Sequence, residues 1–248
     1  MAPPPLRSVR FAAGRTYAAA WRALQAALLR AAPGSVRRDL ARPRLPAAPV
    51  HRRYGLRVGR PVDRFYIERF LEHHSGDVRG RVLEVLDPSY AERFGRGAAR
   101  IDVLDVDPSN SRATIVGDLA SGQGLPRETF DCFICTQTLS LIDDVRAAVA
   151  QAHALLAPGG VLLLTVPGIS HQAAPAAEAF PDLWRFTKRS VERLLRERFD
   201  DVAVCAEGTV AAAAAFLYGI PVDELDAAVL DPHDADYEMV VCARAVRR

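Results

Sequence analysis

The sequence predicts a doubly wound α/β domain with a mostly parallel sheet, and two observations support this fold class. Strand-like and helix-like segments alternate along residues 61–248. The central strand-like segments, among them VLEVL, FDCFICT and VLLLTV, are almost continuous apolar runs, as expected of strands buried on both faces of a sheet. A chain of 248 residues has room for one such domain and a short additional segment.

The domain opens with a predicted helix in the stretch PVDRFYIERFLEHH. Pro61 is a favourable first helical residue, and Phe65, Ile67, Phe70 and Leu71 have the spacing of a buried helix face. The later predicted elements alternate in the order strand 81–86, short helix 90–94, strand 101–106, strand 113–116, strand 130–136, helix 141–156 ending at a Pro-Gly-Gly turn, strand 161–167, helix 188–199, strand 202–206, helix 211–218 and strand 237–245.

Residues 1–60 differ from the rest of the chain in charge. They hold 13 arginines and one acidic residue, whereas residues 61–248 hold 19 basic and 29 acidic residues. Residues 15–32 predict an amphipathic helix, and a Pro- and Arg-rich linker follows it. Such a basic arm suits a membrane surface, nucleic acid or an acidic protein partner, or it packs on the acidic body of its own chain. Because no nucleic-acid motif accompanies it, we expect no nucleic-acid partner.

Composition favours an ordinary globular protein, with 50% hydrophobic and 25% charged residues. No apolar run approaches the roughly 18 residues of a membrane span, and the N-terminus lacks a secretory pattern, so we expect a cytoplasmic protein. Cys132 and Cys135 form a CxxC pattern, which occurs in zinc and redox sites. Within a strand this spacing points the two thiols to opposite faces, and no second ligand pair follows at metal-binding spacing. We therefore expect a structural role and no metal.

Acidic residues mark three of the predicted strands. Glu84 lies in the first strand, Asp107 at the predicted end of the second, and Asp118 follows the third in VGDL. The carboxyl ends of parallel strands meet at the edge where such folds bind ligands. A carboxylate there can accept two hydrogen bonds from a ribose diol, and another can accept one from the amine of a base. The pattern predicts a nucleoside-containing cofactor.

The stretch FDCFICTQTLSLIDDVRAAVAQAHALLAPGGVLLLTVPG resembles the fourth strand, the helix and the PGG turn of the class I S-adenosylmethionine-dependent methyltransferases. The resemblance covers residues 65–245 and implies a Rossmann-like sheet of seven strands whose last strand is antiparallel. It implies that S-adenosylmethionine is the cofactor. It also implies that Asp107 binds the ribose of this cofactor and that Asp118 binds its adenine amine. It further implies that Thr136 and Gln137 form the floor beneath the methionine part. The segments GRPVDRFYIERFL, VPGIS and WRFT are also similar to methyltransferase-like proteins encoded among bacterial glycan and natural-product genes.

The first glycine-rich motif departs from that family. Aligning Glu84 with the family's acid places Leu86, Pro88 and Tyr90 on the three glycine positions. Glycines there permit a positive φ and a close approach of the backbone, and proline removes a backbone donor. Either the cofactor is bound with compensating side chains, or it is not bound and the fold serves another purpose.

Two residues of the first helix are candidates for that compensation. Arg64 offers a planar pair of donors for the cofactor's carboxylate, and Tyr66 is placed to lie over the methyl-transfer region. The alternatives are a surface ion pair for Arg64 and an aromatic residue at the edge of the core for Tyr66. Tyr90 offers a hydroxyl in place of glycine backbone contacts.

The acceptor side of the predicted site has three candidates. His171 follows the fifth strand at the ligand-binding edge and is a candidate base. Trp184 and Arg185 lie in the connection where such folds bind the acceptor, and an aromatic residue beside an arginine suits a sugar face or an anion. Trp184 can equally serve only to anchor the following helix.

Two functions follow from these observations. The first is methylation, directed to an oxygen, of a saccharide or secondary metabolite. The second is a methyltransferase fold without methyl transfer, which docks a biosynthetic partner through the basic arm. A nicotinamide-dependent enzyme is disfavoured because the first turn lacks every glycine of the dinucleotide fingerprint.

Overall fold

The computed structural model describes residues 47–52, 58–172 and 181–248. The predicted helix at residues 15–32 lies outside the described residues, so the basic arm stays a prediction. Ala48–Arg248 form one compact unit. Within it, the chain just before residue 61 contacts later segments, since His51 N donates to the Tyr218 carbonyl at 3.0 Å.

Seven strands form one sheet in the described part of the chain, in the order β3-β2-β1-β4-β5-β7-β6. Their bounds are Arg79–Val85 for β1, Gly97–Asp105 for β2, Ile115–Val116 for β3, Phe130–Thr136 for β4, Leu156–Pro167 for β5, Asp201–Glu207 for β6 and Val240–Val246 for β7. The first five strands pair in parallel, and β7 is antiparallel to both β5 and β6. The predicted fold class is confirmed, and the strand order reverses between β1 and β4, which is where such sheets bind ligands.

Helices cover the sheet on both faces. Their bounds are Val62–His73 for α1, Ser89–Phe94 for α2, Val145–Leu155 for α3, Lys188–Leu195 for α4, Val210–Tyr218 for α5 and Ala227–Leu230 for α6. Side-chain caps fix where α3 and α4 begin. Asp144 accepts hydrogen bonds from the amides of Arg146 and Ala147, and Thr187 forms a capping box with Ser190. Each cap satisfies backbone donors that the first helical turn leaves without partners.

Two hydrophobic cores lie on the two faces of the sheet. The core beneath α3 and α4 contains Phe133, Cys135 and Leu164, and the core beneath α1 and α5 contains Cys132 and Leu163. Successive residues of a strand point to opposite faces. The prediction that the two thiols of the CxxC pattern face opposite ways is therefore confirmed.

Several boundaries differ from the predictions. The helix predicted at 141–156 begins only at Val145, because a 3₁₀ turn at Leu139–Leu141 and the Asp144 cap come first. The strand β5 begins at Leu156 instead of 161, since the Pro-Gly-Gly turn lies within its pairing with the neighbouring strands: Gly159 N donates to the Arg247 carbonyl at 2.7 Å. The helix α6 was not predicted.

Candidate functional site

A cavity of about 230 Å³ opens at the carboxyl ends of β4 and β5, beside the reversal of strand order. Four segments supply its polar side chains, which are Asp63 and Arg64 from the start of α1, Gln137 and Ser140 after β4, Ser170 after β5, and Asp182 and Arg185 before α4. The start of β7 closes one wall with Met239 and Val240, and Phe216 of α5 adds an aromatic face. The predicted residues Arg64, Gln137 and Arg185 thus meet in one cavity.

Arg64 joins this cavity to the loop after β1. Its Nη1 donates to the Tyr90 hydroxyl at 2.6 Å, and its guanidinium carbon lies 5.9 Å from the centre of the Tyr90 ring. The hydroxyl stays protonated, because burial raises the pKa of Tyr90 more than the neighbouring Arg64 lowers it. Arg64 and Tyr90, which were predicted separately as replacements for the glycines, therefore contact each other.

Asp63 is an acid of the cavity that was not predicted as a site residue. Its Oδ1 accepts a hydrogen bond from the Arg64 amide at 2.8 Å, and its side chain lines the cavity. Burial raises the pKa of Asp63, while Arg64 and His171 act in the opposite direction. Its position two residues after Pro61, in the first turn of α1, was the available signal, although acids there also favour helix starts.

Gln137 adopts a positive φ of 53° directly after β4. Its amide donates to the Thr165 carbonyl at 2.8 Å, and its Nε2 lies 3.4 Å from Thr165 Oγ1 on the neighbouring strand. Thr136, the last residue of β4, accepts at its carbonyl from Thr138 Oγ1. These contacts hold the Gln137 side chain at the floor of the cavity, whereas Thr136 is absent from the described lining.

The segment 182–185 is fixed against the cavity by several contacts. Arg185 forms a two-pronged ion pair with Asp182, and its Nη2 donates to the His171 carbonyl at 2.8 Å. Trp184 donates from Nε1 to the Ile142 carbonyl at 2.9 Å, yet its side chain is 41% exposed. Trp184 thus anchors the segment, and part of its side chain remains exposed.

His171 lies at the rim of the cavity. Its ring is stacked on Phe216 with ring centres 6.2 Å apart, and its Nδ1 lies 2.7 Å from the Gln172 carbonyl. A carbonyl only accepts hydrogen bonds, so this contact requires the proton on Nδ1. His171 itself is not part of the described lining.

Glu84 is buried within β1, and its carboxylate serves the backbone of the next loop. It accepts hydrogen bonds from the amides of Ala91 at 2.7 Å and Tyr90 at 3.2 Å, the first turn of α2. Burial raises the pKa of Glu84 to about 7. Glu84 thus shapes the loop and has no described contact to the cavity.

Leu86 has a positive φ of 77° directly after β1. This is the left-handed conformation that a glycine at the first family position adopts without strain. The side chain is 57% exposed, and the amide donates to the Leu104 carbonyl at 2.9 Å. A backbone conformation that favours glycine is therefore adopted here by a leucine.

Asp107 lies two residues beyond the end of β2 and not at its end, which corrects the predicted strand boundary. The strand ends at Asp105, whose buried carboxylate accepts from the Asn110 side chain at 2.7 Å and the Asp107 amide at 3.0 Å. Asp107 is exposed, and it accepts from the Ser109 amide at 2.8 Å. Asp107 therefore presents its carboxylate on the sheet edge, and Asp105 fixes the loop.

Asp118 caps its own turn. Its two carboxylate oxygens accept from the amides of Ala120 and Ser121 and from the Ser121 hydroxyl. The Ala120 amide is the main reason that the pKa of Asp118 is lowered. The carboxylate is ionised and oriented, and its contact with an adenine amine stays a prediction.

Tyr66 lies in the core and not at the cavity, contrary to its predicted position. Its side chain is fully buried, and its hydroxyl donates to the Leu230 carbonyl at 3.1 Å. Burial raises the pKa of Tyr66 to about 12. Val62, Tyr66 and Phe70 are four residues apart on α1, so Tyr66 shares the helix face that packs on the sheet.

Exposed apolar side chains occur at three adjacent strand ends, and we refer to these three residues as the exposed strip. Leu86 follows β1, Val106 follows β2 and Val116 ends β3, with exposed fractions of 57%, 50% and 49%. A flat base packs well on such a surface. With the exposed carboxylate of Asp107 beside it, this strip and the Arg64 donors fit a nucleoside that carries a carboxylate group.

Comparison with known proteins finds likeness to methyltransferases. A family model described as a methyltransferase domain matches residues 67–200, and no curated protein sequence matches. Among solved structures, the chain is similar to an S-adenosylmethionine-dependent methyltransferase from Archaeoglobus fulgidus, at 10% identity and a TM-score of 0.50, covering 74% of this chain and 94% of that chain. This likeness shows the fold alone.

Two further solved structures are similar at lower TM-scores. One is the N-methyltransferase NodS from Bradyrhizobium japonicum in complex with S-adenosylhomocysteine, at 19% identity and a TM-score of 0.48, covering 76% of this chain and 88% of that chain. The other is a methyltransferase from Thermotoga maritima described as a possible histamine N-methyltransferase, at 16% identity and a TM-score of 0.49, covering 74% of this chain and 93% of that chain.

Proposed function

The chain belongs to the methyltransferase domain family, and we propose from this premise that it transfers a methyl group from S-adenosylmethionine to a hydroxyl oxygen of a saccharide or related secondary metabolite. When bound, S-adenosylmethionine supplies an electrophilic methyl group. The protein contributes mainly the alignment of the acceptor with that group. The observation that carries the proposal is the polar cavity at the reversal of strand order, joined through Arg64 and Tyr90 to the loop after β1.

The size of the cavity supports a division of the site into two parts. Drug-sized ligands occupy roughly 300 to 1,000 Å³, so about 230 Å³ suits one sugar ring or a short chain and not a whole nucleoside with its acceptor. The adenosine then lies on the exposed strip of Leu86, Val106 and Val116, with Asp107 at the ribose. The acceptor enters the cavity.

The lining of the cavity favours a neutral polar acceptor. Two carboxylates, Asp63 and Asp182, are each accompanied by an arginine. Paired donors and acceptors of this kind match hydroxyl groups, which both donate and accept hydrogen bonds. The half-exposed Trp184 ring at the border offers an apolar face for a sugar.

Calorimetry with S-adenosylhomocysteine tests the cofactor part of the proposal. We expect binding by the full chain, and we expect Asp107→Ala to weaken it by about tenfold or more, since a charge-assisted hydrogen bond contributes roughly 1.5 to 3 kcal/mol. Asp200→Ala is the matched control, because Asp200 is also exposed and lies before β6 at the opposite edge of the sheet. Absence of binding by the unaltered chain would refute the proposal.

A second function is favoured by one specific observation. No glycine stands at any of the three family positions after β1, and Pro88 offers no backbone donor. A fold of this kind without methyl transfer would act as a binding partner in a biosynthetic pathway, with residues 1–60 as a basic arm and 61–248 as its α/β domain. None of the helices in the described part of the chain combines the length and apolar character of a membrane span.

Removal of residues 1–46 separates the two functions. This deletion keeps the contact in which Val222 N donates to the Arg60 carbonyl at 2.8 Å. The second function predicts that the full chain retains an acidic pathway protein, that the shortened chain loses it, and that neither binds S-adenosylhomocysteine. Cofactor binding that is unaffected by the deletion would instead favour the methyltransferase.

A further inference from the structure

We infer that Asp63 accepts the proton of the acceptor hydroxyl during methyl transfer. This inference rests on the proposed function and goes beyond it, because it assigns the proton to one side chain. Methylation of an alcohol requires a base only where the hydroxyl is weakly acidic, and a saccharide hydroxyl is of that kind. The base must lie within hydrogen-bond reach of the acceptor, so the lining of the cavity defines the candidates.

The carboxylate of Asp63 has one oxygen engaged with the protein backbone. Its Oδ1 accepts from the Arg64 amide at 2.8 Å, which fixes the side chain at the cavity wall. Within residues 47–52, 58–172 and 181–248, Oδ2 has no hydrogen bond to another residue. This second oxygen is therefore available to accept a hydrogen bond from a hydroxyl in the cavity.

The other acid of the cavity is poorly suited to the same task. Asp182 uses both oxygens in its ion pair with Arg185, and its side chain is only 8% exposed. A carboxylate held by an arginine in this manner is a weak base, because the positive charge stabilises the ionised form. Asp182 serves to orient Arg185 at the border of the cavity.

His171 is also less well placed than Asp63. Its Nδ1 faces the Gln172 carbonyl at 2.7 Å, and its ring stacks on Phe216 outside the described lining. Its charge influences Asp63, as does that of Arg64. We therefore assign His171 as a positioning residue that acts on Asp63 electrostatically and takes no proton from the acceptor.

The surroundings of Asp63 favour its action as a base. Burial raises the pKa of Asp63, and this effect outweighs the opposing influence of Arg64 and His171. Arg185 and Asp182 also face the cavity and offset each other. A carboxylate with a raised pKa binds a proton more strongly than an exposed one, which improves its action as a base while it remains ionised at the working pH.

The proposed step balances in atoms and charge. As the acceptor oxygen forms its bond to the methyl carbon, the bond between that carbon and the sulfonium sulfur breaks and its electron pair remains on sulfur. The hydroxyl proton passes to the Asp63 carboxylate and leaves to solvent after the ether departs. Neither an oxidant nor a metal takes part in this step.

The test combines methyl transfer with two measurements that do not depend on turnover. Transfer of tritiated methyl from S-adenosylmethionine is measured with a panel of methyl hexosides and methyl 6-deoxyhexosides as probe acceptors. We expect at least one to be labelled, with a rate that rises with pH until Asp63 is ionised. Asp63→Asn should lower kcat by about 100-fold or more, with a change of less than about twofold in S-adenosylhomocysteine affinity, because no cofactor contact is assigned to it.

Two variants and one spectrum keep the result unambiguous. Glu72→Gln, an exposed acid on the same helix, should match the unaltered chain. Asp63→Glu keeps the carboxylate and should restore part of the rate, and it remains informative if Asp63→Asn does not fold. Carbon-13 NMR of the aspartate carboxyls should show one titration above the ordinary range that disappears in Asp63→Asn.

The possible failures point to different conclusions. If Asp63→Asn keeps the rate and pH profile of the unaltered chain, Asp63 is not the proton acceptor. If S-adenosylhomocysteine binds but no hexoside is labelled, the acceptor is not a saccharide hydroxyl. The assignment of Asp63 as the base for that hydroxyl is then wrong as well. If S-adenosylhomocysteine does not bind at all, the proposed function itself fails.

Discussion

The guanidinium of Arg64 donates a hydrogen bond to the Tyr90 hydroxyl at 2.6 Å, and this contact links α1 to the loop that replaces the glycine turn. Arg64 lines the cavity at the same time. A flexible arginine that is held by one nitrogen presents its other donors in a defined direction. We therefore expect Tyr90 to influence ligand binding through Arg64.

Tyr90→Phe should weaken cofactor binding with little loss of stability. Without the hydroxyl, Arg64 loses its anchor, and we expect a several-fold lower affinity for S-adenosylhomocysteine in calorimetry. The cost to folding should stay near the roughly 1 kcal/mol of one hydrogen bond. Tyr66→Phe, which removes a hydroxyl bonded to the Leu230 carbonyl, should lower stability by a similar amount and leave the affinity unchanged. Equal affinities of the two variants would contradict a role for the Arg64 contact.

Leu86→Gly should stabilise the protein by about 1 kcal/mol. A leucine at a φ of 77° bears a steric cost of roughly 1 to 2 kcal/mol, which glycine avoids. The substitution also removes the apolar contacts of the leucine, but this loss of stability is small because the side chain is 57% exposed. Val106→Gly, at a comparably exposed site without positive φ, should destabilise. Urea denaturation measures both, and destabilisation of the same size by both would show that Leu86 is not strained.

Glu84→Gln should remove a pH dependence from folding stability. Because the pKa of Glu84 is raised to about 7 in the folded protein, the folded state holds more protons than the unfolded state between its ordinary pKa of 4.5 and 7. The free energy of unfolding therefore falls as pH rises through this window, by about 3 kcal/mol at most, and is level above it. Denaturation measured across this pH window should show that the free energy of unfolding of the variant depends less on pH than that of the unaltered chain. The same pH dependence in both proteins would contradict the raised pKa.

Thiol reagents should modify Cys205 before the other cysteines. Cys205 is exposed, and its contact with Cys242 across β6 and β7 lowers its pKa. Burial raises the pKa of Cys132, and that of Cys135 to about 12, so both should react only after unfolding. Mass spectrometry of the native protein reads out the order, with Cys205→Ser as control. Early modification of Cys135 would contradict the description of its core.

The sheet was predictable because its strands are long apolar runs. Phe130–Thr136 was predicted to the residue, since its length and composition permit only a buried strand. The end of β2 was misplaced, because the run VLDVD continues past the point where Asp105 turns inward to hold Asn110. Local pattern cannot distinguish an acid that faces solvent from one that bonds a distant loop.

The site was predicted only in part, for a related reason. Gln137 was found through the family resemblance, Arg64 as a donor that could replace the missing glycines, and Arg185 through its place in the connection before α4. Tyr66 was misplaced because a residue two positions after Arg64 on α1 faces a different direction, toward the core. The spacing of residues in the sequence does not fix how the helix is rotated about its axis. Asp63 was missed, since an acid at a helix start already has an ordinary explanation.

The balance of charged side chains in the cavity lining bears on how an acceptor arrives. The lining holds two carboxylates, Asp63 and Asp182, and two arginines, Arg64 and Arg185, so their formal charges cancel. Long-range steering depends on a net field and weakens as ionic strength shortens the Debye length. Capture of the acceptor should accordingly be as fast in concentrated salt as in dilute buffer, and selection among acceptors rests on shape and short-range contacts.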